Sequence, residues 1–169
     1  AKDIADKINQ QTQTGVRASA RTETTLSFGA TGSYTLNTFG NNSSGQTVTF
    51  NITNTGTASG LADAVTQFNN QSSKTGVTAA LNSTGTGVVL TSDAGDNITL
   101  ATASGGNAGA VSGGGAVLAT GASGALTVAG QVILDSDKSY TVATSGAALG
   151  ASVFGAAVAA GSQVTSTLK

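Results

Sequence analysis

The chain has 169 residues and a formal net charge of −1, with 24 Gly and no Pro, Cys, Met, Trp or His. Because His and Cys are absent, a Ser-His-Asp triad, a cysteine nucleophile and the usual nitrogen and sulfur ligands of zinc, copper, iron and haem are excluded. With 7 basic against 8 acidic residues, neither nucleic acid nor an acidic membrane surface is an expected partner. The longest apolar stretches, such as residues 153–160, are far shorter than the ~20 residues of a membrane-spanning helix.

The first 32 residues predict a helix, a glycine turn and a strand. Three apolar residues share one helical face: Ile4, Ala5 and Ile8. Gly15 can adopt a positive φ, and residues 16–21 then alternate apolar and polar side chains with the period of a strand. Leu26 and Phe28 extend or follow that strand. Residues 1–32 are therefore interpreted as a helix-turn-strand unit.

Residues 33–102 predict a hairpin, a helix and a second pair of strands. The hairpin strands are residues 33–39 and 46–53, and one face of the second strand is apolar: Val48, Phe50 and Ile52. The helix is predicted because apolar residues recur at i, i+3, i+4 and i+7: Leu61, Ala64, Val65 and Phe68. Ser59 is its candidate cap, and Asp63 is placed in the first turn, where a carboxylate suits the helix dipole. After Gly76, short strands are predicted at 77–81, 88–90 and 98–100.

These two units repeat one another. Residues 4–8 (IADKI) resemble residues 61–65 (LADAV), and residues 14–18 (TGVRA) resemble residues 75–79 (TGVTA). The second copy has four more residues between its two blocks, about one helical turn. A hairpin precedes the helix only in the second copy, so we expect the chain to be a piece of a longer protein.

The remaining residues predict a glycine-rich segment and a few strands. Residues 103–125 are mainly Gly, Ala and Ser, which predicts a linker, a mobile loop or a weak glycine-rich edge. Within 126–169 we predict strands at 126–128, 132–134 and 140–142, the last two joined as a hairpin, then a helical turn or apolar loop and an exit segment. The predicted fold is α+β and mostly β: two small subdomains, each a twisted antiparallel sheet with one short helix, plus a C-terminal hairpin.

Two clusters of carboxylates are more typical of turns than of metal or catalytic sites. Asp135 and Asp137 stand at positions 1 and 3 of an EF-hand-like run, but Tyr140 and Gly146 occupy the positions that need Gly and Glu. Asp93 and Asp96 flank a glycine, as turn-forming residues do, and a glycosidase pair is a remote reading. No metal-binding residue is predicted from either cluster.

Other candidate sites also have simpler interpretations. Residues 113–115 are three glycines, but no Lys-Ser/Thr pair follows them and no long helix begins there to hold a phosphate. Lys74 and Lys138 are expected to be solvated charges rather than nucleophiles. The many Ser and Thr residues on strands are candidate sugar acceptors, although Thr also favours strands for its shape alone. We therefore predict no catalytic residue, no cofactor and no metal.

The repeated unit carries a family resemblance. A helix with the pattern aliphatic-Ala-Asp-x-aliphatic and a nearby Asn, followed by Thr-Gly-Val-x-Ala, resembles the repeat in the variable central region of bacterial flagellins, which hook-associated and filament-cap proteins also contain. One copy comprises residues 3–9 and 14–18, and the other comprises residues 61–69 and 75–79. Residues 88–99 resemble the closing hairpin of the family. Residues 132–155 are similar to the last part of the outer domains in flagellins of the Pseudomonas kind.

The resemblance implies an extracellular, non-catalytic outer domain of the flagellar filament subunit, which contributes to motility and antigenicity. It also implies that contacts with other flagellin subunits use core domains absent from this chain, so that the chain alone is a monomer. Antibodies, phage or glycosylation enzymes would meet its surface. The alternatives are a filament-cap or hook-associated protein, and a surface adhesin or glycan-binding module, which has few aromatic residues available to stack on sugars. A hydrolase is the weakest alternative.

Overall fold

The computed structural model describes residues 1–120, 123–143 and 163–166. They divide into two compact units. Unit 1 comprises Ala1–Arg21, Ala94–Asp96 and the described part of Ala129–Lys169, and unit 2 comprises Thr22–Asp93 and the described part of Asn97–Val128. The fold is α+β and mostly β, with antiparallel sheets and few short helices, which confirms the predicted fold class.

The helices and strands follow the predicted order closely, with additional strands in the second half of the chain. In chain order they are α1 (Lys2–Asn9), a 3-10 turn (Thr12–Thr14), β1 (Val16–Phe28), β2 (Gly32–Phe39), β3 (Gln46–Ile52), α2 (Ala58–Asn70), α3 (Ser72–Thr75), β4 (Thr78–Leu81), β5 (Val88–Ser92), β6 (Ile98–Asn107), β7 (Val111–Gly113), β8 (Ala116–Leu118), β9 (Ala125–Val128), β10 (Gln131–Ser136), β11 (Tyr140–Ala143) and β12 (Gln163–Ser166).

Unit 2 is built on two antiparallel sheets. The β1 sheet has the strand order β4-β5-β1-β7-β8, and the β2 sheet has the order β3-β2-β6-β9. The predicted hairpin is confirmed as β2 and β3, in which Tyr34 lies opposite Phe50 and Leu36 lies opposite Val48. Strand β1 continues to Phe28, so its alternating pattern runs well beyond the predicted residues 16–21.

The inward faces of these sheets and helix α2 share one apolar core. The ring of Phe50 lies 5.5 Å from the rings of Phe28 and Phe68, and 5.6 Å from that of Tyr34, measured between centroids. The predicted face of α2 is confirmed, because Val65 is partly buried and the other three residues are almost completely buried: Leu61, Ala64 and Phe68. Period-2 and period-3.6 patterns therefore identified most of this core.

The start of α2 differs from the prediction. Thr57, not Ser59, is the N-cap, and its hydroxyl accepts a hydrogen bond from the Gly60 backbone N–H at 3.3 Å. Asp63 is the sixth residue of the helix, so its carboxylate lies beyond the first turn. The helix begins earlier than the apolar periodicity indicates, because its first three residues are Ala, Ser and Gly and carry no large apolar side chain.

Unit 1 has a small core under helix α1. Ala5, Ala18 and Val132 are buried, and Ile8 and Leu134 pack against them. The prediction that Ile4 shares this buried face is wrong: Ile4 is 42% exposed.

The glycine-rich segment forms strands over much of its described length. Strand β6 extends to Asn107, and β7 and β8 form a hairpin in which Ser112 lies opposite Val117. This hairpin ends the β1 sheet, so the interpretation of residues 103–125 as a glycine-rich edge is correct for residues 111–118. The loop interpretation is wrong there, because Val111 and Leu118, which lie opposite each other in the hairpin, are apolar and buried in the core.

The predicted C-terminal hairpin has different pairing partners. β10 pairs with β1, where Ala18 lies opposite Leu134, and β11 pairs with β12, where Val142 lies opposite Val164. A strand pair near the C-terminus is therefore present, but it does not join residues 132–134 to 140–142. The helical turn or apolar loop and the rest of the exit segment lie outside the described residues. Among the helices that are described, none is long and apolar enough to cross a membrane.

Candidate functional site: the Asn clamps and the hydroxyl-bearing sheet faces

Each copy of the repeat holds its strand with one asparagine. In the first copy the Asn9 Oδ1 accepts a hydrogen bond from the Ala18 backbone N–H at 2.8 Å, and the Asn9 Nδ2 donates to the Ala18 carbonyl at 2.7 Å. In the second copy Asn69 makes the same two bonds to Ala79, at 2.8 and 2.9 Å. We call this pair of bonds the Asn clamp. Because a carboxamide carries one acceptor and donors in the geometry of a peptide group, it takes the place of a neighbouring strand at that residue.

The Thr-Gly pair of each copy turns the chain from helix to strand. Gly15 and Gly76 adopt left-handed conformations with φ of 67° and 68°, which an L side chain adopts only with strain. Thr14 donates from its hydroxyl to a backbone carbonyl three residues earlier at 2.9 Å, and Thr75 donates to one four residues earlier at 3.0 Å. Each hydroxyl also accepts from the N–H of the Val two residues later, at 3.3 and 3.2 Å. The repeat seen in the sequence is thus a repeat of hydrogen-bonded geometry.

The clamps also correct the alignment of the two helices. Counted back from the clamp Asn, Asp63 and Asp3 are both at position −6, and Ala64 and Ile4 are both at position −5. The sequence comparison instead placed Ile4 opposite Leu61. The apolar blocks alone misplace the register, because aliphatic residues recur on several turns of a helix.

Helix α2 is fastened to both sheets of unit 2. Near the middle of the helix the Asp63 carboxylate accepts a hydrogen bond from the Asn51 backbone N–H in β3 at 2.7 Å. In the last turn Asn69 clamps Ala79 in β4. β3 and β4 are each at one end of their sheets, so α2 supplies partners to two strand edges while its apolar face enters the core.

Of the predicted turn residues, Asp137 lies in the turn after β10, whereas Asp135 is a residue of β10 and lies opposite Arg17 of β1. The Ser136 hydroxyl donates to the Gly15 carbonyl at 3.1 Å and accepts from the Lys138 backbone N–H at 3.2 Å. Asp135 and Asp137 are exposed beside it, at an open groove that Arg17 also lines. Within the described ranges, no three acidic side chains group so as to hold a metal ion. The geometry is that of a turn built on side-chain to backbone bonds.

The second acidic cluster is also part of a turn. Gly95 has a φ of 74°, and the Asp96 carboxylate lies 3.8 Å from the Lys2 ammonium. Asp93 begins the turn that follows β5. An ion pair of this length at a partly exposed site contributes little to stability.

The glycine triplet and the two lysines are likewise on surface elements. Gly114 and Gly115 have φ of 57° and 80° and form the two-residue turn between β7 and β8, as a tight hairpin with two positive φ angles requires. Lys74 is exposed on the short helix α3, and Lys138 is exposed in the turn after β10. The glycines thus shape a hairpin rather than a phosphate-binding loop.

Hydroxyl groups occupy the outward faces of both sheets of unit 2. On the β2 sheet, Thr47 donates to the Asn37 Oδ1 at 2.9 Å, and the Thr99 and Thr127 hydroxyls lie 2.9 Å apart on neighbouring strands. On the β1 sheet the outward polar side chains are exposed or half-buried: Glu23, Thr25, Ser27, Thr78, Thr91 and Ser112. The sequence alternation indicates these faces, because successive residues of a strand point to opposite faces of the sheet.

Comparison with known proteins does not assign the chain to a family: no family model matches it, and no curated protein matches its sequence. The motif residues that carry the flagellin resemblance are those of the clamps and turns. Their roles in this chain are to fix local structure.

Proposed function

We propose that this chain is an outer, solvent-facing domain of the bacterial flagellar filament subunit, with a structural role and no catalytic one. The repeated unit supports the proposal most directly. It resembles the flagellin repeat in its residues, and both copies use the same Asn clamp and the same Thr-Gly turn. A module of this kind adds volume and exposed surface to the filament exterior, and other parts of the subunit make the contacts for polymerisation.

The surface chemistry fits a display role. The sheet faces turned outward bear Thr, Ser and Asn side chains, while the aromatic residues Phe28, Tyr34, Phe50 and Phe68 lie in the core. Small hydroxyl side chains on a strand present a polar, weakly charged surface to water and to antibodies. The same hydroxyls are candidate attachment sites for sugars.

Immunogold electron microscopy tests the proposal. Antibodies raised against residues 1–169 are applied to cells of the bacterium that encodes the chain, with a flagellum-less mutant as the control. Label along the whole filament is expected. Label confined to the filament tip or to the junction with the hook would instead favour the cap or hook-associated alternative, and label independent of flagella would overturn the proposal.

Sedimentation velocity gives a second test. The purified chain is expected to remain a monomer, because in this proposal the contacts between subunits are made elsewhere. Assembly of the chain alone into long filaments would contradict that expectation.

Glycan binding is the alternative from a different class, and the hydroxyl-bearing faces are the observation that favours it. A saturable interaction of the purified chain with mucin, abolished when outward Thr residues of the β2 sheet are replaced by Val, would support a glycan-binding module. The display role predicts no such binding.

A further inference from the structure

The pattern Asn-x-Ser/Thr, which is the acceptor sequence for N-linked sugars, occurs repeatedly in the chain. The middle residue is never Pro, which would exclude the modification. The six asparagines that begin the pattern are Asn41, Asn42, Asn51, Asn70, Asn82 and Asn97. A chain rich in Ser and Thr also contains this pattern by chance, so the structure has to separate an acceptor from the rest.

Two of the six patterns contain a core residue. Asn51 and Asn97 are each followed by an isoleucine, Ile52 or Ile98, whose side chain is completely buried. A transferase has to enclose the Asn, the middle residue and the hydroxyl-bearing residue together, and here the middle residue packs inside the protein. These two asparagines are therefore poor acceptors in the folded chain.

Two further patterns have their polar side chains occupied. At Asn70, the last residue of α2, the hydroxyl two residues later is that of Ser72, which donates to the Asn69 carbonyl at 2.7 Å. At Asn82 the side-chain oxygen accepts hydrogen bonds from the Thr84 hydroxyl at 3.2 Å and from two backbone N–H groups. A transferase could engage either pattern only by breaking these bonds.

The two remaining patterns overlap in the loop between β2 and β3, and their asparagines differ. The Asn42 Oδ1 accepts a hydrogen bond from the Gly40 N–H at 2.7 Å, and its Nδ2 donates to two backbone carbonyls. Asn42 is thus half-buried and held by three hydrogen bonds. The residues on each side of it, Asn41 and Ser43, are exposed.

Asn41 has its side-chain amide available on a fixed backbone. Its N–H donates to the Thr75 carbonyl at 3.0 Å, which anchors the loop to the second Thr-Gly turn. Its carboxamide lies beside Gly76, which has no side chain to cover it. Within the described part of the chain, neither this carboxamide nor the Ser43 hydroxyl has a hydrogen-bond partner. Of the six patterns, this one therefore presents both of its reactive side chains to a transferase.

We propose that Asn41 is the acceptor of an N-linked sugar. The co-substrate is a sugar activated as a glycosyl diphosphate, supplied with a glycosyltransferase by the cell that makes the chain. The Asn41 Nδ2 forms a bond to C1 of the sugar as the bond from C1 to the phosphate oxygen breaks. The diphosphate carrier leaves, and a base of the transferase takes one Nδ2 proton. This modification is separate from the display role, and its test does not require that the chain belong to a flagellum.

Mass spectrometry of the protein isolated from cells that encode it tests the proposal. Chymotrypsin cleaves after Phe39 and Phe50, which places Asn41 and Asn42 in one peptide of residues 40–50. We expect this peptide to carry the added mass of a hexose, an N-acetylhexosamine or a longer glycan. Electron-transfer fragmentation, which leaves the sugar attached, should place that mass on Asn41. An unmodified peptide, or an added mass on a Ser or Thr of the peptide, would overturn the proposal.

Two single-hydroxyl variants separate Asn41 from its neighbour. Ser43→Ala removes the pattern at Asn41 and keeps the one at Asn42, so it should abolish the added mass. Ser44→Ala removes the pattern at Asn42 alone and should leave the added mass unchanged. Both serines are exposed, and their hydroxyls bond to no described residue, so both variants should keep the urea midpoint of the unaltered chain. Retention of the mass in Ser43→Ala, or its loss in Ser44→Ala, would assign the sugar elsewhere and refute the choice of Asn41.

The donor can be a nucleotide-linked or a lipid-linked sugar, since both are glycosyl diphosphates. Unmodified recombinant chain is therefore incubated with UDP-glucose and either the soluble or the membrane fraction of the same cells. Modification of Asn41 by the soluble fraction indicates a nucleotide-linked donor, and modification by the membrane fraction alone indicates a lipid-linked one. Either result supports the proposal, and modification of Asn42 in place of Asn41 contradicts it.

Discussion

Removal of the second Asn clamp is expected to destabilise unit 2. In Asn69→Ala the helix keeps its apolar face, but the Ala79 N–H and carbonyl lose partners at 2.8 and 2.9 Å. These two backbone groups lie on the edge of β4 that faces the helix, so in the monomeric variant they are left to water. The variant therefore isolates the contribution of the side-chain amide.

The magnitude follows from the two bonds and the helix. A protein hydrogen bond contributes about 0.5–1.5 kcal/mol net, so two contribute about 1–3 kcal/mol. Ala favours a helix over Asn by up to about 0.7 kcal/mol, which offsets part of this loss. We expect Asn69→Ala to lower the free energy of unfolding by about 1–2 kcal/mol. For a unit of about 100 residues, each kcal/mol lowers the unfolding midpoint by roughly 4–8 °C.

Urea unfolding followed by far-UV circular dichroism measures the change, and amide exchange locates it at Ala79. Asn70→Ala is the matched control. It is the same substitution one residue later in α2, and the exposed Asn70 donates only a long bond of 3.4 Å to the half-buried Gln67 side chain. If Asn70→Ala destabilises unit 2 as much as Asn69→Ala, or if the Ala79 N–H stays equally protected in Asn69→Ala, the clamp has no special role and the reasoning fails.

Three further predictions concern turns, close packing and metal. G15A and G76A should each lower the free energy of unfolding by about 1–2 kcal/mol in urea titrations, because Gly15 and Gly76 have φ angles of 67° and 68°. G76A should cost more than G15A, since of the two added Cβ atoms only the one at residue 76 would meet another side chain, at 3.0 Å. G60A should lower the thermal midpoint, because the added Cβ would lie 2.6 Å from a backbone nitrogen of the preceding loop. This clash should outweigh the preference of a helix for Ala over Gly, which is about 1 kcal/mol. A raised midpoint would refute this prediction. Calcium or EDTA should leave the midpoint unchanged by calorimetry, and a calcium-dependent rise that D135N/D137N removes would contradict the turn interpretation.

Residue periodicity predicted the elements that carry a clear apolar face. The alternation of β3 and the helical spacing in α2 both placed their apolar residues in the core, because each of these elements packs one whole face against it. The same reasoning missed β7 and β8. Their strands are only three residues long, which is too short for a pattern to show above a glycine-rich background.

Pairing partners were harder to predict than elements. β10 lies next to β1, more than a hundred residues earlier in the chain, although only three residues separate it from β11. Short strands joined by a turn-like Asp-Ser segment favour a hairpin on local grounds alone. Here Val132 and Leu134 instead pack against the Ala-rich start of β1 and against α1. These are tertiary contacts, and the local sequence does not indicate them.

The role of the clamp Asn could not be predicted by considering each residue separately, although the sequence does contain a pattern that indicates it. An Asn at the end of a helix usually indicates a cap or a turn, and here both copies instead bond a strand nine or ten residues later. The signal is the fixed order of helix, Asn, Thr-Gly and a strand whose fourth residue after Thr is Ala, which is visible only when the copies are compared.

The Asn clamps and the Asp63 hydrogen bond have a physical role that is the same whichever protein this chain belongs to. Uncovered strand edges recruit other strands, and a domain exposed at high local density would aggregate through them. In this chain a helix placed beside the edges of β3 and β4 bonds to both by side chains rather than by another strand. A single residue change, Asn69→Ala, uncovers one of these edges. Sedimentation of Asn69→Ala at high concentration should therefore reveal association that the unaltered chain does not show, and a strictly monomeric variant would limit the clamp to a role in stability.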